Sequence, residues 1–240
     1  KGGQTFNGHL PQPPFVNGPF QEIAVDKRNI DPTFYKDIAV YAYKVSKSAE
    51  EMKSFNPKVE TSGGKIDAEI LFDGKYDAFV VVKADTVINM AWIQYEFEKP
   101  FTAEAFTING VKGVPVGKLL VSNDGENYTT LISFPGAQLY RQGWARTFSI
   151  PETTAKYFRI ELTGVALNPA ETMFQNDYKS ANEYDLREAV LHSQAKVNRW
   201  EEKAGFRHLF EYESVQTPVI SADQVINEKD FINLTSKLDA

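Results

Sequence analysis

Lys118-Leu119-Leu120-Val121-Ser122-Asn123-Asp124-Gly125-Glu126-Asn127-Tyr128-Thr129-Thr130-Leu131-Ile132 is the stretch that decides the fold class. Asp124-Gly125 offers the positive φ angles that a tight hairpin turn requires, and apolar runs flank it on both sides. Further on, Ala155-Lys156-Tyr157-Phe158-Arg159-Ile160-Glu161-Leu162-Thr163-Gly164 sets Phe158, Ile160 and Leu162 in alternation with Tyr157, Arg159 and Glu161. A period of two buries one face of a strand and wets the other. Together the two stretches predict an all-β, antiparallel sandwich. Neither carries a catalytic signature.

Outward from this pair, short strands separated by turn signals continue the pattern. Ala91 to Phe97 places Ile93, Tyr95 and Phe97 on one face, and Lys99-Pro100 should break it. Ala105 to Asn109 is the next strand, ended by Gly110, and Leu186 to His192 is the last. Lys65 to Val82 predicts short strands around Asp73-Gly74, and Asn168-Pro169 to Asn182 a long loop. Such spacing predicts a sandwich or barrel and not a βαβ fold. The sandwich is expected over 59–195, between an extended flank at 1–58 and a β-like flank at 196–240. The first flank is rich in Pro and Gly up to Pro32, which excludes long regular elements there. Phe34 to Val45 reads as a strand apolar on both faces, which should be covered on both sides. Ser48 with Glu51 is a capping box for a short helix that Asn56-Pro57 ends. Ala195 to Lys203 reads as a short helix or an irregular return. His208 to Val215 alternates as a strand, and Asp230 to Leu234 is strand-like. The flanks should pack together, as a small second sheet.

Composition narrows the function classes. The 240 residues suffice for a substantial core, and 13% are aromatic, which suits strands. With no Cys there are no disulfides and no thiolate metal sites. A formal net charge of −6 argues against nucleic-acid and anionic-membrane partners. No apolar run approaches the roughly 18 residues of a transmembrane helix. The opening Lys1-Gly2-Gly3 and the closing Leu238-Asp239-Ala240 read as cuts within a longer polypeptide.

Candidate chemistry is sparse. Asp73-Gly74-Lys75-Tyr76-Asp77 reads as an Asp-Gly turn or as half of a calcium loop, without the EF-hand pattern. Gly113-Val114-Pro115-Val116-Gly117-Lys118-Leu119 falls one residue short of a phosphate loop and has Leu119 where a hydroxyl should hold magnesium. His9, His192 and His208 lack metal-ligand spacing, and His192 at a strand end reads as a surface or edge residue. No carboxylate pair can be singled out as the acid and base of a glycosidase, whose separation a sequence does not give. Trp92, Trp144, Trp200, Tyr140 and Tyr178 could stack on sugar rings. Trp92 falls within a core strand. Trp144, beside Gly143 and Arg146, is the better candidate for sugar contact, with Tyr140 and Arg146 as neighbours; packing is the competing reading.

A resemblance covers about 135 residues. Leu71-Phe72-Asp73-Gly74, Ala91-Trp92-Ile93-Gln94-Tyr95-Glu96-Phe97-Glu98-Lys99-Pro100-Phe101, Leu120 to Tyr128, Lys156-Tyr157-Phe158-Arg159-Ile160 and Leu186-Arg187-Glu188-Ala189-Val190-Leu191 together resemble the coagulation factor 5/8 type C (discoidin) module, a galactose-binding-like jelly roll. Many members hold a structural calcium, and the resemblance implies Asp73 and Glu188 as its ligands. The family often has Thr then Trp shortly after Asp-Gly, whereas Ala78-Phe79 stands here and supplies one ligand fewer. The flanks carry a second resemblance. Gly2-Gly3-Gln4-Thr5-Phe6-Asn7-Gly8, Leu10-Pro11-Gln12-Pro13-Pro14, Phe34 to Val40, Glu202-Lys203-Ala204-Gly205-Phe206 and Ile232 to Leu238 are similar to the middle of glycoside hydrolase family 106 enzymes, the bacterial α-L-rhamnosidases. That resemblance implies the non-catalytic sandwich of a larger exported enzyme, periplasmic or extracellular. It would brace a catalytic barrel that supplies the carboxylates, and could contact polysaccharide. An autonomous carbohydrate-binding module and a protein-interaction domain are the alternatives.

Overall fold

The computed structural model of the protein describes residues 39–44, 51–138, 145–165, 179–203, 216 and 225–237. In chain order the strands are β1 (Tyr41–Ala42), β2 (Lys58–Thr61), β3 (Val80–Lys83), β4 (Ala91–Gly110), β5 (Gly113–Val114), β6 (Val116–Ser122), β7 (Thr129–Phe134), β8 (Ala137–Gln138), β9 (Ala145–Gly164), β10 (Glu183–His192) and β11 (Ile232–Asn233). One α-helical turn, α1, spans Trp200–Lys203.

The frame is the antiparallel pair of two 20-residue strands, β4 and β9. Their register breaks between Glu96 and Phe101 and again between Ala103 and Ala105. Lys99-Pro100, expected to end a strand, is absorbed in the first break, because an irregular register leaves the proline without a donor to supply. The first half of β4 pairs with β2 and with the second half of β9, which continues into β6 and β7. The second half of β4 pairs with β10 and the first half of β9, and β3 lies beyond β10. One hydrogen-bonded network thereby forms an all-β, antiparallel sandwich of galactose-binding-like type.

Alternation decides which side chains meet in the middle. Phe158, Ile160 and Leu162 are buried in a single core with Ile93, Tyr95 and Phe97. Phe97 stacks on Phe101 at 4.9 Å, and both meet the edge of Phe158. The Tyr95 hydroxyl, fully buried, donates to the Ala189 carbonyl at 2.5 Å, the partner a buried phenol needs. The expected hairpin is β6–β7. Gly125 takes φ +79, and the Asp124 carboxylate accepts the N–H groups of Glu126 and Asn127 at 2.9 and 2.8 Å.

Two bulges set the orientation of the site. In β4, Ala91, Ile93, Tyr95, Phe97, Phe101 and Ala103 face the core; past the break at Ala103/Ala105 it is Phe106 and Ile108 that do. In β10 a bulge between Leu186 and Glu188 reverses the phase in the same way, so that Ala189 and Leu191 join the core. Thr107 and Asn109 of β4 and Glu188, Val190 and His192 of β10 therefore share the opposite face.

Three local expectations are corrected. Lys65 to Val82 is not a set of strands: Ala68–Phe72 is a 3₁₀ helix that buries Leu71, and β3 begins only at Val80. Of the Phe34-to-Val45 strand, 34–38 and 45 lie outside the described residues; within 39–44 the strand is the two residues of β1, paired with β11, and Tyr41 is 56% exposed rather than covered. The short helix after Ser48 is a 3₁₀ turn, Met52–Phe55, whose N-cap Glu51 makes no side-chain cap, and Asn56 ends it in the left-handed region. Ser48 and 208–215 lie outside the described residues. The flanks do meet in a small second sheet, β1–β11. Met52 of the first flank also enters the sandwich core, where its Sδ accepts the Leu191 N–H at 3.4 Å.

Candidate functional site

The first half of β9 leaves one strand edge without a neighbouring strand, since β6 pairs only with the second half. An open edge is a template for pairing and needs cover. The segment leading into α1 supplies it. Arg199 N–H donates to the Thr147 carbonyl at 2.7 Å, Ser149 N–H to Asn198 Oδ1 at 3.1 Å, and Thr147 N–H to Glu201 Oε2 at 3.2 Å. Trp200 and Glu201 are thereby carried onto the outer face of the sheet. The 3₁₀ turns around Met52 and Phe72 stand opposite, and a cleft of about 620 Å³ lies between them.

A relay of hydroxyls crosses its floor. Glu201, 1% exposed, accepts the Thr147 hydroxyl proton at 2.7 Å. Having spent that proton, Thr147 Oγ1 accepts the Trp200 indole N–H at 3.1 Å and the Thr107 hydroxyl at 2.9 Å. Thr107 in turn accepts from His192 Nε2, 2.8 Å away. Burial pushes the His192 imidazole down to about 4, with nearby Lys196 adding to the effect, so the ring is neutral at pH 7. Across the cleft, Glu188 is 4% exposed, and burial raises its carboxyl to about 7; the Tyr76 hydroxyl bonded to it opposes that rise, while Asp73 adds to it. Burial, with Glu188 close by, raises the Tyr76 phenol as well.

Asp73 and Glu188, named from the resemblance, thus line one cleft. They do not fit the calcium site it implies. Calcium takes six to eight oxygens, largely ionised carboxylates and carbonyls. Glu188 accepts the Tyr76 hydroxyl and burial raises its carboxyl to about 7, and Asp73 Oδ1 accepts the Lys75 N–H at 2.8 Å within its own turn. Among the described residues, no three Asp, Glu or His side chains gather to hold a metal.

The sugar-contact candidates fare differently. Tyr140 and Trp144 lie outside the described residues. Arg146 is 0% exposed, and its Nη1 donates to the Gly136 carbonyl at 2.9 Å. It alternates in phase with the core residues Phe148 and Ile150, and so holds a turn from inside and is closed to a bound sugar. Trp92 faces outward between core residues Ala91 and Ile93, and the Arg159 guanidinium covers it at 5.0 Å and Tyr128 at 4.1 Å. The residues that sequence reading missed are Tyr76, Thr107, Thr147 and Glu201. The threonines follow the period of two once the bulge is known; no sequence signal marks the contact of Glu201 with them.

The profile of one family, described as alpha-L-rhamnosidase (glycoside hydrolase family 106), matches residues 1–240. The chain belongs to that family. Among solved structures it is similar to a rhamnosidase from Novosphingobium sp. PP1Y, at 24% identity and TM-score 0.66, over 100% of this chain and 20% of that one. It thus spans about a fifth of the length of that family 106 relative. Smaller likenesses are to a chitosan-binding module of a chitosanase/glucanase from Paenibacillus sp. IK-5 (18% identity, TM-score 0.41, 59% of this chain and 98% of that one). Another is a CBM32 module from Clostridium perfringens in complex with GalNAc-β-1,3-galactose (16% identity, TM-score 0.42, 59% of this chain and 99% of that one). No curated protein matches the chain.

Proposed function

We propose that this chain is the non-catalytic β-sandwich portion of a larger, exported α-L-rhamnosidase, periplasmic or extracellular, and that it braces a catalytic barrel carried elsewhere on the same polypeptide. The observation that carries this reading is the β1–β11 ribbon. It joins the two flanks, and its aromatic side chains stand outward: Tyr41 and Tyr43 meet Phe231 edge-on at 6.1 and 5.8 Å, and Ile232 is 62% exposed. A two-stranded ribbon is marginal alone and becomes stable when its apolar face is covered. The family match over the whole chain, beside a relative five times longer, favours cover from elsewhere in the same polypeptide. Polysaccharide contact is a second role for the module, and the cleft is the feature that favours it.

The test uses the full-length enzyme. Tyr41→Ser with Ile232→Asp should separate the unfolding of the two parts in calorimetry and lower the temperature at which activity is lost. kcat/KM on an aryl α-L-rhamnoside at low temperature should stay within about twofold of the parent, since surface changes away from the chemistry move stability and not transition-state contacts. A single unchanged transition would refute the brace. Hydrolysis of the aryl rhamnoside by the sandwich alone, abolished by a point mutation within it, would refute the non-catalytic assignment.

A further inference from the structure

The relay on the cleft floor has a defined polarity. A carboxylate only accepts, so the proton of Thr147 is fixed on Glu201, that of Thr107 on Thr147, and the Nε2–H of His192 on Thr107. A neutral imidazole carries one N–H, and here it is at Nε2. Nδ1 is left as a bare acceptor, and no described residue satisfies it. The ring lines the cleft together with Trp200, whose indole N–H is spent on the same relay. The surrounding charge is mildly acidic: Asp73 and Glu201 face the cleft against Lys196, while burial raises the Glu188 carboxyl to about 7 and Glu51 is paired with Lys53 at 2.9 Å. An anionic ligand would meet repulsion there, whereas a ligand rich in hydroxyl donors would find acceptors and an aromatic wall. The volume falls within the roughly 300–1,000 Å³ of small-molecule sites.

We propose that this cleft binds a neutral glycosyl unit, which donates a hydroxyl to His192 Nδ1 and lies against Trp200. The inference deepens the polysaccharide-contacting part of the function proposed above and is independent of the bracing part. The relay makes His192 a pre-oriented acceptor: its ring cannot flip without breaking the bond to Thr107, so little orientational freedom remains to be lost on binding. The carboxylates of Asp73 and Glu201 disfavour uronates relative to neutral residues.

The experiment is NMR on the full protein labelled with ¹⁵N-histidine and ¹⁵N-tryptophan, because these local signals distinguish the cleft from any catalytic site. The His192 ring should show Nε2–H with a pyridine-like Nδ1. Methyl α-L-rhamnopyranoside or methyl β-D-galactopyranoside should shift the Nδ1 signal and the Trp200 indole, while galacturonate should leave both unmoved. His192→Phe should weaken the response at Trp200 about tenfold, as loss of one hydrogen bond of about 1.4 kcal/mol does. Thr107→Val, which keeps the imidazole but frees its ring, should weaken it several-fold. An Nδ1–H tautomer overturns the proposal. So does silence of both signals toward both neutral glycosides at ~100 mM, a hundredfold above a ~1 mM Kd, or an equal response to galacturonate. Under any of these outcomes the brace and its calorimetric test are unaffected.

Discussion

Replacing Glu188 by Gln should stabilise this protein above neutral pH, although it deletes a buried hydrogen-bonding carboxyl. The carboxyl is raised from 4.5 to about 7 in the folded chain, chiefly by burial. As pH rises from 4.5 to 7 the unfolded chain releases this proton and the folded chain keeps it. Stability contributed by the neutral carboxyl is therefore complete below pH 4.5 and is lost as pH rises through 7. At about 1.4 kcal/mol per unit, a shift from 4.5 to about 7 amounts to ~3 kcal/mol at pH 8. The side chain is 4% exposed, so solvent screening takes little from that figure. Gln keeps the shape and an oxygen for the Tyr76 hydroxyl, and never ionises. Urea denaturation of both proteins in EDTA should give curves that agree within about 1 kcal/mol at pH 4.5 and diverge by ~3 kcal/mol at pH 8, with Gln the more stable. For a chain of this length that is a gap of roughly 6–12 °C in Tm. A Gln variant less stable than the parent at pH 8 would refute the reasoning. Millimolar calcium makes a second comparison. If it raised the parent's midpoint and not the variant's, Glu188 would be an ionised ligand and the pairing with Tyr76 would be the wrong account of this carboxyl.

The remaining predictions concern single groups. His192 is depressed from 6.5 to about 4, so the stability its neutral form contributes is present above pH 6.5 and is lost as pH falls through 4. In a Glu188→Gln background, which removes the opposing titration, His192→Gln should flatten the fall in the urea midpoint between pH 7 and 4.5; an unchanged slope would place the ring in water. Gly117→Ala should cost ~2–3 kcal/mol or prevent folding, because a Cβ there would stand 2.2 Å from the Glu161 carbonyl and 2.6 Å from the Phe134 ring; circular dichroism melts read it directly. Asp124→Ala should destabilise the β6–β7 hairpin at pH 7. The carboxylate is held well below its usual range by the Asn127 side chain and by the Asn127 and Glu126 N–H groups, so its contribution is present above pH 3.8 and fades as pH falls below that. Parent and variant should therefore converge in acid, as followed by amide exchange in β7.

The layered architecture was legible because alternation is a local property. Phe158, Ile160 and Leu162 are buried where a period of two puts them, and Asp124-Gly125 turns the hairpin. The phase of the strands beyond Ala103 and Leu186 was not legible. A bulge inserts one residue opposite a partner strand, and nothing in Leu186-Arg187-Glu188-Ala189 announces which residue is the extra one. That single shift turns Glu188 from the core side to the cleft, and sequence reading alone could supply its name, by resemblance, without its surroundings. Arg146 is a sugar-contact candidate in the sequence only through its place beside Gly143 and Trp144. Its alternation with Phe148 and Ile150 was already in the sequence and outweighs its neighbours. The place of His192 at a strand end suggests only a surface or edge residue. The hydroxyls of Thr107 and Thr147 that orient it come from strands far away in the chain, and such convergence leaves no local mark.

The cleft and the ribbon draw on the same parts of the chain, which links the two roles assigned to them. The floor belongs to the sandwich, whereas the walls come from Glu51 and Met52 on one side and from Trp200 and Glu201 on the other. These walls lie in the same flanks that end in β1 and β11. The second wall is fixed to β9 by three hydrogen bonds to its backbone and two to the Thr147 hydroxyl. At about 1 kcal/mol each, and more for bonds that reach the carboxylate, that attachment is strong relative to the few-kcal/mol energies with which a ribbon docks. Cover for an open strand edge, needed by the fold whatever its function, is also what holds a hydrogen-bond acceptor in place for a ligand.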